Sequence, residues 1–242
     1  MGATPKSDQA GLDASWRPLY RAAGVAAGCA VALYTAALIM VAVTAAPPTS
    51  GGAAMLEYVD THRGSYIVRQ LLWLLPSLFL MVVFLALAVA IRQYGRSYAV
   101  VAGLVAVSSW AVSFAWPTTG DGSLAMIVLS GRYAEATTAA DRASYVAGAE
   151  VLSALNDVPA VIGVLQTLGL LLVSLLMLQG VFPKPLALLG VATGAIGIVS
   201  EALRPVLGGA YALYGVLLFV WLTWVGVELW RLGVNRAEPR EL

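Results

Sequence analysis

Apolar residues in this chain do not alternate with polar ones; they run in long blocks separated by short polar punctuation. Five blocks, residues 22–46, 71–91, 98–116, 158–180 and 210–230, each supply about the 20 mostly apolar residues that a helix needs to cross a hydrocarbon layer about 30 Å thick. A sixth, 185–200, reaches that length only if its helix continues through Glu201 to about Arg204. Lipid offers no partner to open backbone groups, so runs this long and uniformly apolar predict helices and not barrel strands. The expected fold is all-α: a polytopic membrane bundle of six transmembrane helices.

The breaks between blocks fit that expectation. Pro47-Pro48-Thr49-Ser50-Gly51-Gly52 ends the first block, Pro117 ends the third, and Pro183 and Pro185 separate the fourth from the next. Pro76 lies inside the second block and predicts a kink that frees the Leu72 carbonyl. Trp16, Tyr20, Trp116 and Trp230 sit at block ends, as interfacial aromatics do, whereas Trp73, Trp110, Trp221 and Trp224 lie deeper and predict packing. Gly24-x-x-x-Gly28-x-x-x-Ala32 and Gly190-x-x-x-Gly194 with Gly197 predict close helix approach. Contacts inside the bundle are their main expected use, and contact between copies in a homo-oligomer the lesser one.

The stretch 117–157 is too long for an idle connection. Residues 124–129 are apolar but too few to span. Thr138-Ala139-Ala140-Asp141 resembles a capping box with aspartate in place of the usual glutamate, and Tyr145, Ala149, Leu152 and Leu155 then share one helical face. The pattern predicts an amphipathic helix in a long outer loop, lying on the surface or capping the bundle, and meeting the fourth span at Asn156-Asp157-Val158-Pro159. A partly ordered loop is the alternative.

Composition sharpens the picture: 60% of residues are hydrophobic and 11% charged, against about 45–50% and about 25% in soluble domains. Residues 22–232 are then one membrane domain, with 1–21 and 233–242 as tails. The first apolar run is too long for a cleaved leader, and the polar stretch before it, with Asp8 and Asp13, lacks a leader's basic start. A net charge of +1 provides no basic patch for nucleic acid. The single cysteine, Cys29, excludes a disulfide within the chain. Lysine and arginine set the orientation. With both termini cytoplasmic, Lys6, Arg17, Arg21, Arg92, Arg96, Lys184, Arg231, Arg236 and Arg240 fall inside, and only Arg63, Arg69, Arg132, Arg142 and Arg204 fall outside.

Ionisable groups at membrane depth are costly, so they are the candidates for function. Arg69 and Gln70 open the second span, Asn156 and Asp157 open the fourth, and Glu201 and Arg204 end the fifth, all at one outer level. Arg69 or Arg204 is expected to pair with Asp157 or Glu201 at the mouth of the bundle, with Trp73 on the wall. Gln166, deep in the fourth span, predicts an interhelical hydrogen bond ahead of a transport site. Glu228 and Arg231 are spaced for a structural i,i+3 pair, and His62 has neither cysteine nor second histidine with which to hold a metal. The chain lacks H-E-x-x-H, G-x-S-x-G, a phosphate-binding glycine loop and a dinucleotide fingerprint. No catalytic residue, metal or cofactor is therefore expected.

The run Leu129-Ser130-Gly131-Arg132-Tyr133-Ala134-Glu135-Ala136-Thr137, then Leu155-Asn156-Asp157, then an Ala/Leu/Gly-rich hairpin from Val181-Phe182-Pro183 onward, resembles a family of six-span bacterial integral membrane proteins known only as a domain of unknown function. The resemblance spans residues 20–232 and implies six spans in a bacterial plasma membrane. It carries no activity and no site residues. The functional expectation is a protein that binds a small or lipidic ligand in an outward-facing cavity between helices, with membrane lipid as its partner. A transporter or permease component using Gln166 and the Pro76 kink is the alternative, and a structural or accessory subunit a further one. An enzyme using Asp157 or Glu201 as a base would need a nucleophile or metal that the sequence does not supply.

Overall fold

The computed structural model describes residues 13–48, 50–116, 118–119, 122–155 and 160–234. Helix α1 (Arg17–Val43) opens with Pro18 in its first turn, where a missing amide hydrogen costs nothing, and stops ahead of Pro47. Asp13 lies just before it. Hydrogen bonds from Ser15 hold the Asp13 carboxyl below the usual carboxylate range, and Arg92 approaches within 3.7 Å. Next come α2 (Gly52–Thr61) and α3 (Arg63–Leu74), then α4 (Pro76–Ile91). Leu75 keeps helical dihedrals (φ −60°, ψ −32°), so α3 and α4 run on as one stretch in which Pro76, lacking an amide hydrogen, leaves the Leu72 carbonyl without its partner.

Helix α5 (Arg96–Ala115) leads through a two-stranded antiparallel hairpin, β1 (Thr118–Thr119) and β2 (Gly122–Ser123), to α6 (Ala125–Glu135) and α7 (Ala139–Ala154). The chain then continues as α8 (Val161–Met177), α9 (Lys184–Ala202), the single turn α10 (Arg204–Leu207) and α11 (Ala212–Val234). Segment 185–200 continues past Glu201 but ends at Ala202, short of the Arg204 that its length called for. Segment 158–180 gives the shorter helix, because the chain leaves it in a turn at Leu178.

Six helices close a ring in chain order: α1 on α4, α4 on α5, α5 on α8, α8 on α9, α9 on α11, and α11 back on α1. Among the described residues five stretches are long and apolar enough to cross a membrane: Ala14–Val43, Arg63–Ile91, Arg96–Ala115, Lys184–Ala202 and Arg204–Val234. Helix α8 is equally apolar but has 17 residues, a rise of about 26 Å. At the centre, Phe84 stacks between Trp110 and Trp221, at centroid distances of 6.4 and 5.9 Å. Tyr20, expected at an interface, is instead buried in this core.

Small residues bring the ring together. A Cβ on Gly194 would lie 2.8 Å from the Leu171 Cα, and one on Gly169 2.6 Å from the Ala106 Cα, so these backbones nearly touch. The α9 glycines are thus used inside the bundle. Gly24 likewise abuts Trp230, whereas Gly28 faces open space.

A second, smaller core lies beside the ring. Met55, Leu56 and Val59 of α2 pack with Tyr66, Met126 and Ala149. Tyr66 donates its hydroxyl hydrogen to the Ser123 carbonyl (3.0 Å) and accepts from the Ser123 amide (3.1 Å), and Ser130 Oγ donates to the Leu56 carbonyl (2.8 Å). The loops after α1 and after α5 therefore fold onto each other as a three-helix cap. Of these helices only α7 was expected. Its Thr138 cap forms as the sequence predicts, with Oγ1 accepting from the Asp141 amide at 3.0 Å and donating to Asp141 Oδ2 at 2.6 Å.

Candidate functional site

Between the ring helices lies a cavity of about 810 Å³. Tyr34 of α1, Trp73 of α3, Ser77 of α4, Trp110 of α5, Gln166 of α8, Glu201 of α9, Arg204 of α10 and Tyr211 all line it, with Leu218, Phe219 and Leu222 of α11 forming much of its apolar wall. Leu74 and Ser77, on either side of Leu75 and Pro76, also line this wall.

Glu201 is the buried acid of the site, 5% exposed. It reaches that position because Gly163 has no side chain: a Cβ there would lie 2.5 Å from Glu201 Oε2. The carboxylate thus rests on the first turn of α8, an end whose partial positive charge suits it. The backbone joins in, since the Ala160 amide donates to the Glu201 carbonyl at 3.3 Å. Tyr211 then donates its phenolic hydrogen to Glu201 Oε1 at 2.6 Å, the length of a charge-assisted hydrogen bond. The Arg204 guanidinium sits 5.5 Å from the Tyr211 ring centroid, and Tyr214 meets that ring edge-on at 5.8 Å. Tyr211 therefore links the two charges, hydroxyl to the acid and ring face to the base. No direct Glu201–Arg204 ion pair is present among the described residues.

Three of the lining residues carry an unpaired donor. Among the described residues Trp73 Nε1, Trp110 Nε1 and Gln166 Nε2 have no hydrogen-bond acceptor, and each nitrogen is itself buried away from the open space of the cavity. An unsatisfied buried donor costs about 1–3 kcal/mol. Trp73 packs its ring on Tyr34 at 5.8 Å.

Of the residues expected from sequence, Trp73, Gln166, Glu201 and Arg204 meet at this cavity. Arg69 and Gln70 lie beside it and point inward. Arg69, 4% exposed, donates to Thr44 Oγ1 at 3.4 Å, and Gln70 Oε1 accepts from Thr119 Oγ1 at 2.7 Å. Asn156 and Asp157 lie outside the described residues. Among the described residues the hydrogen bond expected of Gln166 is missing at its Nε2, which is buried without an acceptor. Sequence reasoning missed Tyr34 and Tyr211 and took Trp110 for packing alone. The signal for Tyr211 was available: an aromatic just beyond Gly208-Gly209, opposite the one acid that ends the preceding span.

Other candidates have local explanations. Arg231 donates to Glu228 at 2.9 Å, the expected i,i+3 pair. His62 stacks on Tyr58 at 4.6 Å, with its Nδ1 3.1 Å from the Tyr58 carbonyl oxygen. Among the described residues no group of three His, Cys, Asp or Glu side chains is placed to hold a metal ion. Comparisons with protein-family profiles, with curated proteins and with solved structures each gave no match to this chain.

Proposed function

We propose that this chain is a six-span protein of a bacterial plasma membrane, with both termini cytoplasmic, that binds a small or lipidic ligand in an outward-facing cavity. The observation that carries the reading is the 810 Å³ cavity itself, whose aromatic and aliphatic wall also holds Gln166, Glu201 and Arg204. Ligand sites commonly enclose about 300–1,000 Å³ and combine apolar walls with a few fixed polar groups. Two features support the orientation. The loops that fold together as the cap are the ones that the lysine and arginine distribution assigns outside. The ring beyond the Phe84–Trp110–Trp221 stack is filled by packed side chains.

A transporter is the second reading, favoured by Pro76, which leaves one backbone hydrogen bond unmade beside the cavity. It would require the aromatic stack to part. A second copy of the chain would meet this one along α1, where Gly28 and Ala32 are exposed.

Native mass spectrometry of the full-length protein tests the ligand-binding reading. The wild type should carry a bound amphiphile through mild detergent, and Ser113→Trp, which fills the cavity, should lose it. Identical spectra for the two proteins would remove the cavity from consideration.

A further inference from the structure

We infer that the cavity opens sideways between the outer halves of α1 and α11 and takes the acyl chain of a bilayer lipid through that opening; this rests on the ligand-binding reading and narrows it. The inference comes from where the two helices touch and where they part. Over their inner halves they are in contact. Arg21 Nε donates to the Gly233 carbonyl at 2.7 Å, a Cβ on Gly24 would lie 2.8 Å from the Trp230 Cβ, and one on Gly226 2.7 Å from the Ala27 Cβ. These antiparallel contacts fix a register, which carried outward puts Tyr34 opposite Phe219 and Leu38 opposite Gly215. By that level the helices have separated. All four residues line the cavity, Leu38 is exposed, and a Cβ on Gly215 would meet no described atom within 4 Å.

Each helix has a different partner in its outer half. Tyr34 packs on Trp73 and Thr44 accepts from Arg69, which hold α1 toward α3. Tyr214 fits against Gly197, where a Cβ would lie 2.7 Å from its ring, and Tyr211, just before α11, donates to Glu201, so α11 is held toward α9. A cleft is left between them. Its edges are hydrocarbon: Leu38, Val216 and Val220 line the cavity and are also exposed on the flank of the ring, in stretches long and apolar enough to cross a membrane. In a bilayer that flank is covered by acyl chains, so cavity and hydrocarbon become one continuous apolar space. Water at these edges would lack the two to four polar partners that it needs, whereas an acyl chain fills them without giving up a hydrogen bond. The end toward the cap is furnished differently, with Trp116, Thr119 and Leu155 lining it.

The test reconstitutes full-length protein in vesicles of phosphatidylethanolamine and phosphatidylglycerol, with a trace of phosphatidylethanolamine carrying a diazirine midway along one acyl chain. After illumination, peptide mass spectrometry locates the adducts. Val100 and Leu104, exposed on α5, should be labelled from outside the ring. Ser77 and Trp110 line the cavity and are only 2% and 6% exposed, and they should be labelled from within. Gly215→Trp fills the cleft from a position with open space around it, so it should lose the adducts on Ser77 and Trp110 and keep those on α5. Leu38→Trp plugs the cleft from the α1 side with the same expected result, and takes its place if Gly215→Trp does not fold. Adducts on α5 alone in the wild type would overturn acyl-chain entry. Persistence of the Ser77 and Trp110 adducts in the plugged variants would overturn the route between α1 and α11. In either case a bound molecule found by native mass spectrometry in the wild type and missing from Ser113→Trp would leave the ligand-binding reading standing, whereas identical spectra would remove that reading as well.

Discussion

Tyr211 donates its hydroxyl hydrogen to Glu201 at 2.6 Å, across the turn at Gly208 and Gly209 that joins α10 to α11. One hydrogen bond thereby fixes the end of α9 to the start of α11 and holds the buried acid in place. Tyr211→Phe keeps the ring under Arg204 but removes the donor. We expect a loss of about 1–3 kcal/mol, the cost of leaving a buried acceptor short of its partner, read as a lower thermal midpoint in detergent. An unchanged midpoint would mean that the bond contributes nothing net.

Gly163 and Glu201 make a second, steric prediction. Gly163→Ala places a methyl 2.5 Å from Glu201 Oε2, closer than van der Waals contact allows. The acid must leave its seat, so the variant should melt at a lower temperature and retain less amphiphile. Adding Glu201→Ala to Gly163→Ala should recover part of the lost stability, because the clash then has no second party. Failure of the double variant to improve on Gly163→Ala would show that the glycine serves some other contact.

The cap should open independently of the ring, since its core of Met55, Leu56, Val59, Tyr66, Met126 and Ala149 is separate from the main one. Tyr66→Phe removes both hydrogen bonds to Ser123 while preserving the ring's packing. Hydrogen exchange should accelerate in α6 and α7 and remain slow in α4 and α11. Equal acceleration throughout would make cap and ring one cooperative unit.

Orientation is testable with the chain's single cysteine removed as Cys29→Ser. In that background Thr137→Cys, between α6 and α7, should react with a membrane-impermeant maleimide on intact cells. Ser97→Cys, at the start of α5, should react only after the membrane is broken. The reverse pattern would invert the proposed topology.

Features set by local chemistry were readable in advance. Thr138 caps α7 through its own side chain, Pro76 leaves the Leu72 carbonyl without an amide partner, and the α9 glycines admit a neighbouring backbone. Each of these is decided within a few residues. Helix α2 escaped notice because it is short and starts after Gly51, at φ +86°, with no Ser, Thr or Asp side chain bonded to its first turn. Its partners α6 and α7 are far away in sequence, so its apolar face had no visible reason to be buried. The site divides the same way. Glu201 and Arg204 stood out as charges in an apolar context, but their relationship through Tyr211 depends on a turn whose direction the sequence does not specify. Gln166 looked like a residue in want of a hydrogen bond, and its Nε2 still is.

The most direct measurement of the central claim is an experimental density map of the protein in nanodiscs formed from its native membrane. An elongated density in the cavity, bounded by Trp73, Trp110, Gln166 and Tyr211, is the expected result. A map in which α9 and α11 close on one another with no room between them would contradict it.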